Sequence, residues 1–212
     1  MTAPFLVLFG ARAGAGFELA RLARLAGVEV VAAVRPGADG GPLADLGCRV
    51  VAADACDAAA VDAVFRGLPP GPWVASTLGG RVGNDFVDDV GNRMVIDAAR
   101  KHGAARMLLV SSLGAGDSRA FASPRLLAAI GDVLAAKTRA EDHLRASGLV
   151  HVILRPGGLV DGSPSGSGEL SAAHDVHGSI SRGELARLAL LCLTSGAHDG
   201  ATLSAVDPKP KD

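Results

Sequence analysis

The sequence predicts an α/β fold, a Rossmann-type doubly wound parallel sheet in a single domain. Three observations carry this. The chain opens on Phe5–Phe9 (FLVLF), an apolar run too short for anything but a buried strand, and Gly10, Gly14 and Gly16 follow at once. An amphipathic helical pattern and a second apolar run, Val28–Val34, come next. Apolar strand-length runs then alternate with helical patterns almost to the C terminus, as in a parallel sheet covered on both faces.

The first unit is the most informative. Leu19, Leu22, Ala23 and Ala26 fall at i, i+3, i+4 and i+7 and share one helix face, with Arg21 and Arg24 on the other and Gly27 placed to stop the helix. A strand turning sharply into a helix needs residues without Cβ clashes. The unpaired N–H groups and dipole at that helix start suit a pyrophosphate that no side chain blocks. With a buried strand on either side, the glycine triplet reads as a dinucleotide site. The bland alternative is a tight turn without a ligand. No Gly-Lys-Ser/Thr follows, so the phosphate loop of nucleoside triphosphatases is excluded.

The remaining elements follow in order. Residues 37–47 are glycine-rich, with a short helical piece at most. Cys48–Ala53 is a third strand ended by Asp54, and Asp57 caps a helix to about Arg66. Trp73–Thr77 is a fourth strand, closed by a loop from Leu78 to Gly80. A long helix is expected over 84–102, its stripe formed by Val87, Val90, Met94 and Ala98, with Gly103 as its stop. Arg106–Val110 is a fifth strand ending in Ser111-Ser112, and residues 113–123 form a small-residue loop. A second long helix is expected over 125–147. Leu149–Leu154 is a sixth strand, closed by Arg155-Pro156-Gly157-Gly158. Residues 159–179, rich in Gly and Ser without periodicity, read as a lid or binding loop. Ser181 caps a last helix to about Thr194, residues 201–206 are a candidate seventh strand, and 207–212 read as a flexible tail after a domain of residues 1–206.

The expected strand order is 3-2-1-4-5-6, with the seventh strand beyond. Ligands of such sheets lie past the carboxyl ends of the strands, at the switch between strands 1 and 4. The residues at that edge are the candidate cofactor contacts. They are Gly10, Arg12, Ala13, Gly14, Ala15 and Gly16 after strand 1, Arg35 after strand 2, and Asp54 and Ala55 after strand 3. Thr77, Leu78 and Gly79 follow strand 4, Ser111 and Ser112 strand 5, and Arg155, Pro156, Gly157 and Gly158 strand 6.

Composition narrows the function. Of 212 residues 49% are hydrophobic, the mean hydropathy is +0.31, and the formal net charge is −1. No Lys/Arg cluster stands out, which argues against nucleic acid and anionic membranes. No apolar run nears the roughly 20 residues of a spanning helix, and no basic region precedes the first apolar run, so no signal peptide is read. Three cysteines, Cys48, Cys56 and Cys192, form no CxxC and read as reduced packing residues of a cytoplasmic protein. Oligomeric state is not legible.

With these residues in place the chain resembles the short-chain dehydrogenase/reductase superfamily, and most closely its atypical NAD(P)H-binding, NmrA-like and biliverdin/flavin reductase group. The resemblance covers roughly residues 5–195. It rests on GARAGAG (10–16), Ala33-Val34-Arg35, Asp54, LLVSSLGAGDS (108–118), KTRAEDHLRASGL (137–149) and ILRPGGLVDG (153–162). The common superfamily catalyst is Tyr-x-x-x-Lys. Here Lys137 is present, Val133 stands four residues earlier, and the chain holds no tyrosine. The glycine motif also reads GxxxGxG, with Ala13 where atypical members often carry glycine.

Arg35 stands where NAD-selecting proteins carry an acid for the ribose hydroxyls, and a guanidinium suits a 2′-phosphate. With Arg12 as a second grip, this favours NADP(H) over NAD(H). Lys137 lies seven residues from both Ile130 and Leu144, a cation in an apolar stripe that needs a partner. The resemblance implies that it reaches the nicotinamide ribose, and Ser112 is the residue chosen to face the nicotinamide. Ser112 and Lys137 are therefore the catalytic candidates. His174 and His177 are candidates for proton supply or substrate contact, and no metal is expected. Two functions fit. One is an oxidoreductase passing hydride from NADPH to a small conjugated acceptor of flavin or quinone type. The other is a non-catalytic NAD(P)H-binding redox sensor of the NmrA-like type.

Overall fold

A computed structural model describes residues 5–208. Its centre is an eight-stranded sheet. Seven strands are parallel: β1 (Phe5–Phe9), β2 (Glu29–Val34), β3 (Arg49–Ala52), β4 (Trp73–Ser76), β7 (Arg106–Val110), β8 (His151–Pro156) and β12 (Thr202–Val206). An antiparallel edge strand, β10 (Glu169–Ser171), completes it, and the order is β10-β12-β8-β7-β4-β1-β2-β3. The expected order 3-2-1-4-5-6 is found, and residues 202–206 are indeed the seventh strand.

Strand periodicity places the two cores. Leu6 and Leu8 point to one face with Val30, Ala32 and Val34, and meet α1 (Gly14–Leu25) and α6 (Arg182–Ser195). Phe5, Val7 and Phe9 point to the other with Val31 and Ala33, and meet α3 (Ala58–Phe65), α4 (Val90–Lys101) and α5 (Pro124–Ala146). A short α2 (Gly41–Asp45) and a 3-10 turn over Gly116–Phe121 fill connections. Caps follow the sequence: Asp57 accepts from the N–H groups of Ala59 and Ala60, and Ser181 from that of Glu184. Cys48, Cys56 and Cys192 are free thiols, and burial pushes Cys192 up to about 11. Among the described residues no helix is long and apolar enough to cross a membrane.

Four expectations need correction. The long helix expected from residue 84 begins at Val90. Ahead of it β5 (Arg81–Val82) and β6 (Asp85–Phe86) form a small hairpin. Gly83, at φ +60°, makes its turn, and the Arg81 guanidinium lies 4.4 Å over the Phe86 ring. Val87 therefore leaves the helical stripe, and Asn92, Val95, Ile96 and Ala99 carry the burial instead. The second long helix bends at Ile130 (φ −137°, ψ 20°), so Ile130 and Lys137 do not share one continuous face.

Residues 159–179 are not structureless. They hold most of β9 (Gly158–Val160), all of β10, and the start of β11 (Ser179–Ser181), which pairs in parallel with β9. Buried Glu184 accepts from the N–H groups of Gly166 (2.9 Å) and Gly168 (2.7 Å) and from the Arg187 guanidinium at 2.6 Å. Burial alone would push that carboxyl up, but Arg187 and the two amides outweigh it and hold its pKa below the usual range. Ser165 and Ser167 donate to Asp207, which is buried. Asp207 thus belongs to the domain rather than to the tail, and residues 209–212 of the expected tail lie outside the described residues.

Candidate active site

Beyond the paired carboxyl ends of β1 and β4, at the switch point, lie two adjoining lobes of a cleft. The turn after β1 is shaped by contact. Gly10 has φ +84°, and a Cβ on it would lie 2.5 Å from Thr77 Oγ1. A Cβ on Gly16 would lie 2.3 Å from the Gly10 carbonyl oxygen. Thr77 Oγ1 donates to that same carbonyl at 3.1 Å. Only glycine fits at both positions, so the start of α1 is held bare against the end of β4.

The first lobe, about 350 Å³, lies beyond β1, β2 and β3. Gly10, Arg12 and Ala13 line it from one side, Arg35 from β2, Asp54 and Ala55 from β3, and Thr77, Leu78 and Gly79 from β4. Arg35 and Arg12 are exposed, and among the described residues neither side chain takes part in a hydrogen bond or ion pair. Two uncommitted guanidinium groups on one lobe form an anion cradle. Asp54 turns its carboxylate back to the Cys56 N–H at 2.9 Å.

The second lobe, about 690 Å³, shares Ala13 and Thr77–Gly79 with the first and extends over β7 and β8. Gly14, Ala15, Gly16, Ser111, Ser112, Lys137, Pro156, Gly157 and Gly158 line it. His177, a candidate for substrate contact, also lines it, and so do Leu126, Ile130 and Leu159, which no local motif marks as site residues because α5 and β9 bring them there from distant parts of the chain. His174 stays outside, with Nδ1 at 3.4 Å from Asp117 Oδ1.

Lys137 has the partner that its stripe demanded. Its Nζ lies 2.7 Å from Asp88 Oδ1, with the Asp88 side chain 2% exposed and the lysine 15%. Asp88 Oδ2 accepts from the Gly80 N–H at 2.8 Å, so one carboxylate fixes both the lysine and the loop after β4. Asp88 falls within the span expected to be helical but lies in the turn before α4, where no helical spacing ties it to Lys137. Ser112 Oγ donates to the Leu113 carbonyl at 2.9 Å, a neighbour-bound hydroxyl that a ligand can redirect.

Two predicted contacts have other partners. Ser111 donates its hydroxyl to Glu141 Oε1 at 2.5 Å and keeps only its wall position in the second lobe. Arg155, expected at the cofactor, lines neither lobe. It is 1% exposed and donates to both oxygens of fully buried Glu141, Nε at 2.9 Å and Nη2 at 2.7 Å, and to Asp117. Burial would push its pKa down, but the two carboxylates outweigh that and hold it above its ordinary value. Its charge ties β8, α5 and the 3-10 turn together behind the cleft.

A bare helix start, two arginines on one lobe, unpaired among the described residues, and a lysine held by Asp88 on the other mark a nucleotide-binding α/β protein. A model of the NAD(P)H-binding family matches residues 10–196, and the chain belongs to that family. A solved structure of ChuY, an anaerobilin reductase from Escherichia coli O157:H7, is similar at a TM-score of 0.90 and 37% identity, over 98% of this chain and 99% of that one. The sanguinarine reductase of Eschscholzia californica is 34% identical over 113 residues, 50% of this chain and 40% of that protein. A Bacillus subtilis protein named as the uncharacterized sugar epimerase YhfK is 36% identical over 119 residues, 54% of this chain and 52% of that one. The chain thus matches about half or less of the length of these two sequence relatives.

Proposed function

We propose that this protein is an NADPH-dependent reductase of a small conjugated acceptor, of flavin, quinone or bilin type. The observation that carries the reading is the second lobe itself. It offers a charge-steadied lysine and a serine in a chain with no tyrosine. A simple ketone reduces to an alkoxide and demands a placed acid. A conjugated acceptor spreads the developing charge and takes its proton from water or a weak donor. The reductase names of two relatives, one for anaerobilin and one for sanguinarine, support the reaction class.

The residues present fit the cofactor. Gly10 and Gly16 let the start of α1 close onto Thr77 and the Gly10 carbonyl, where a Cβ would collide, and this close approach sets the helix-start N–H groups where they would hold the pyrophosphate. Arg35, with Arg12 beside it, would hold a 2′-phosphate, which is why we infer NADPH rather than NADH. When bound, NADPH supplies the hydride. Lys137 would orient the nicotinamide ribose and lend positive charge near the acceptor as it becomes anionic. Asp88 keeps that lysine aimed. Ser112 would turn its hydroxyl from Leu113 to the nicotinamide or the acceptor. Gly157 and Gly158 form part of the far wall, and Leu159 and Ile130 offer apolar surface to a flat ring system.

The test is NADPH oxidation with FMN, a benzoquinone, a bilin and a set of simple ketones. Turnover is expected with at least one conjugated acceptor and with none of the ketones. Lys137→Ala should mainly raise KM for NADPH, and Ser112→Ala should lower kcat only modestly. Ketone turnover alone refutes the acceptor class. Tight NADPH binding with no turnover on any acceptor selects the sensor reading.

A further inference from the structure

A third cavity, about 510 Å³, borders the bare start of α1 and shares Ala13 and Gly14 with the acceptor lobe. Arg12, Gly14, Phe17, Asp161, Ser163 and Arg182 are among the residues that line it. Arg182 is the first residue of α6, whose N-terminus sits beside that of α1 at the same sheet edge. A Cβ on Gly14 would lie 3.4 Å from both Cδ and Nε of Arg182, so the arginine stem passes directly over the glycine turn.

The Arg182 charge is lightly held. Its Nη1 donates to Asp161 Oδ1 at 2.7 Å, but the Asp161 side chain is 97% exposed and that of Arg182 32%. Water screens such a pair, and it contributes little to stability. Glu18, the other acid on this cavity, accepts from Nε and Nη2 of Arg21 and does not engage Arg182. A phosphate at the α1 N-terminus would offer what Asp161 lacks: several oxygens, a fixed position, and the helix dipole on its far side.

We propose that Arg182 is a ligand for the bridging phosphates of the dinucleotide, held in reserve by Asp161 and passed from that carboxylate to the phosphate on binding. The proposal rests on the reading that the cofactor crosses the glycine turn. It assigns separate tasks to separate arginines: Arg35 reads the 2′-phosphate, and Arg182 grips the part common to NADPH and NADH. Asp161 becomes a competitor, so removing it strengthens binding.

Calorimetric titration with NADPH and NADH tests this on wild type, Arg182→Gln, Arg182→Lys, Asp161→Asn and the Arg182→Gln/Asp161→Asn pair. Thermal unfolding without nucleotide verifies that each variant is folded. Arg182→Gln should weaken both nucleotides by the same factor, about ten- to a hundredfold for a lost charge-assisted contact. Arg182→Lys should restore part of the loss. Asp161→Asn should tighten both by a few-fold, about the scale of a screened ion pair, and the double variant should bind as Arg182→Gln does. Wild-type affinity in a folded Arg182→Gln overturns the proposal and leaves the cofactor reading intact. A loss confined to NADPH overturns it too, because Arg182 would then belong to the 2′-phosphate. Wild type that binds neither nucleotide overturns both.

Discussion

Glu141→Ala is expected to destabilise the protein by about 3–5 kcal/mol, the scale for removing one partner of a buried ion pair. Glu141 is fully buried, with Arg155 on both of its oxygens, Ser111 on Oε1 and Arg145 on Oε2 at 3.0 Å. Its loss leaves the Arg155 guanidinium inside the domain with Asp117 alone. Gly116 shows how tightly the group is enclosed: a Cβ there would lie 2.1 Å from Arg155 Nη2 and 2.8 Å from Glu141 Oε2. Arg145, about a third exposed, can turn to water and to Asp142. Urea unfolding measures the effect, and a pair of leucines at 141 and 155 should recover much of it, since apolar replacement of a buried pair is often neutral. A midpoint for Glu141→Ala within error of wild type would show that Arg155 is hydrated and that the network does not hold β8 to α5.

Arg35→Ala should lower affinity for NADPH by about ten- to a hundredfold, the loss of one charge-assisted contact of roughly 1.5–3 kcal/mol, and leave NADH affinity unchanged. The side chain stands exposed at the end of β2, on the lobe it shares with Arg12. An acid in its place would repel a 2′-phosphate, whereas a guanidinium can take two of its oxygens. Titrating wild type and variant with both nucleotides measures this, and equal wild-type affinities for NADPH and NADH would remove the basis for the NADP(H) assignment.

The parts legible in the sequence were those with a local signature. Gly10, Gly14 and Gly16 between two apolar strands gave the turn, and alternating elements gave the order of seven strands. Every residue expected at the switch edge lines the cleft except Arg155. That miss has a physical origin. Arg155 follows the strand periodicity of Ile153, which faces α5, and its partner Glu141 lies one helical turn after Lys137 on that helix. An arginine at a strand end looks the same in sequence whether it reaches for a ligand or for a buried carboxylate. The hairpin over residues 81–86 was missed because its polar and apolar residues also fit a helix, and Gly83 decides the matter through its backbone alone. The segment 159–179 is ordered by distant groups, Glu184 and Asp207, that leave no trace in its own composition. Lys137 signalled its need for a partner, but Asp88 comes from another element.

The structure of the protein crystallised with NADPH tests the account most directly. The 2′-phosphate should lie against Arg35 and Arg12, the pyrophosphate on the N–H groups at Gly14–Gly16 with Arg182 turned to it from Asp161, and the nicotinamide beside Lys137 and Ser112 in the second lobe. A dinucleotide bound away from the glycine turn, or with its nicotinamide in the lobe of Arg35, would contradict it.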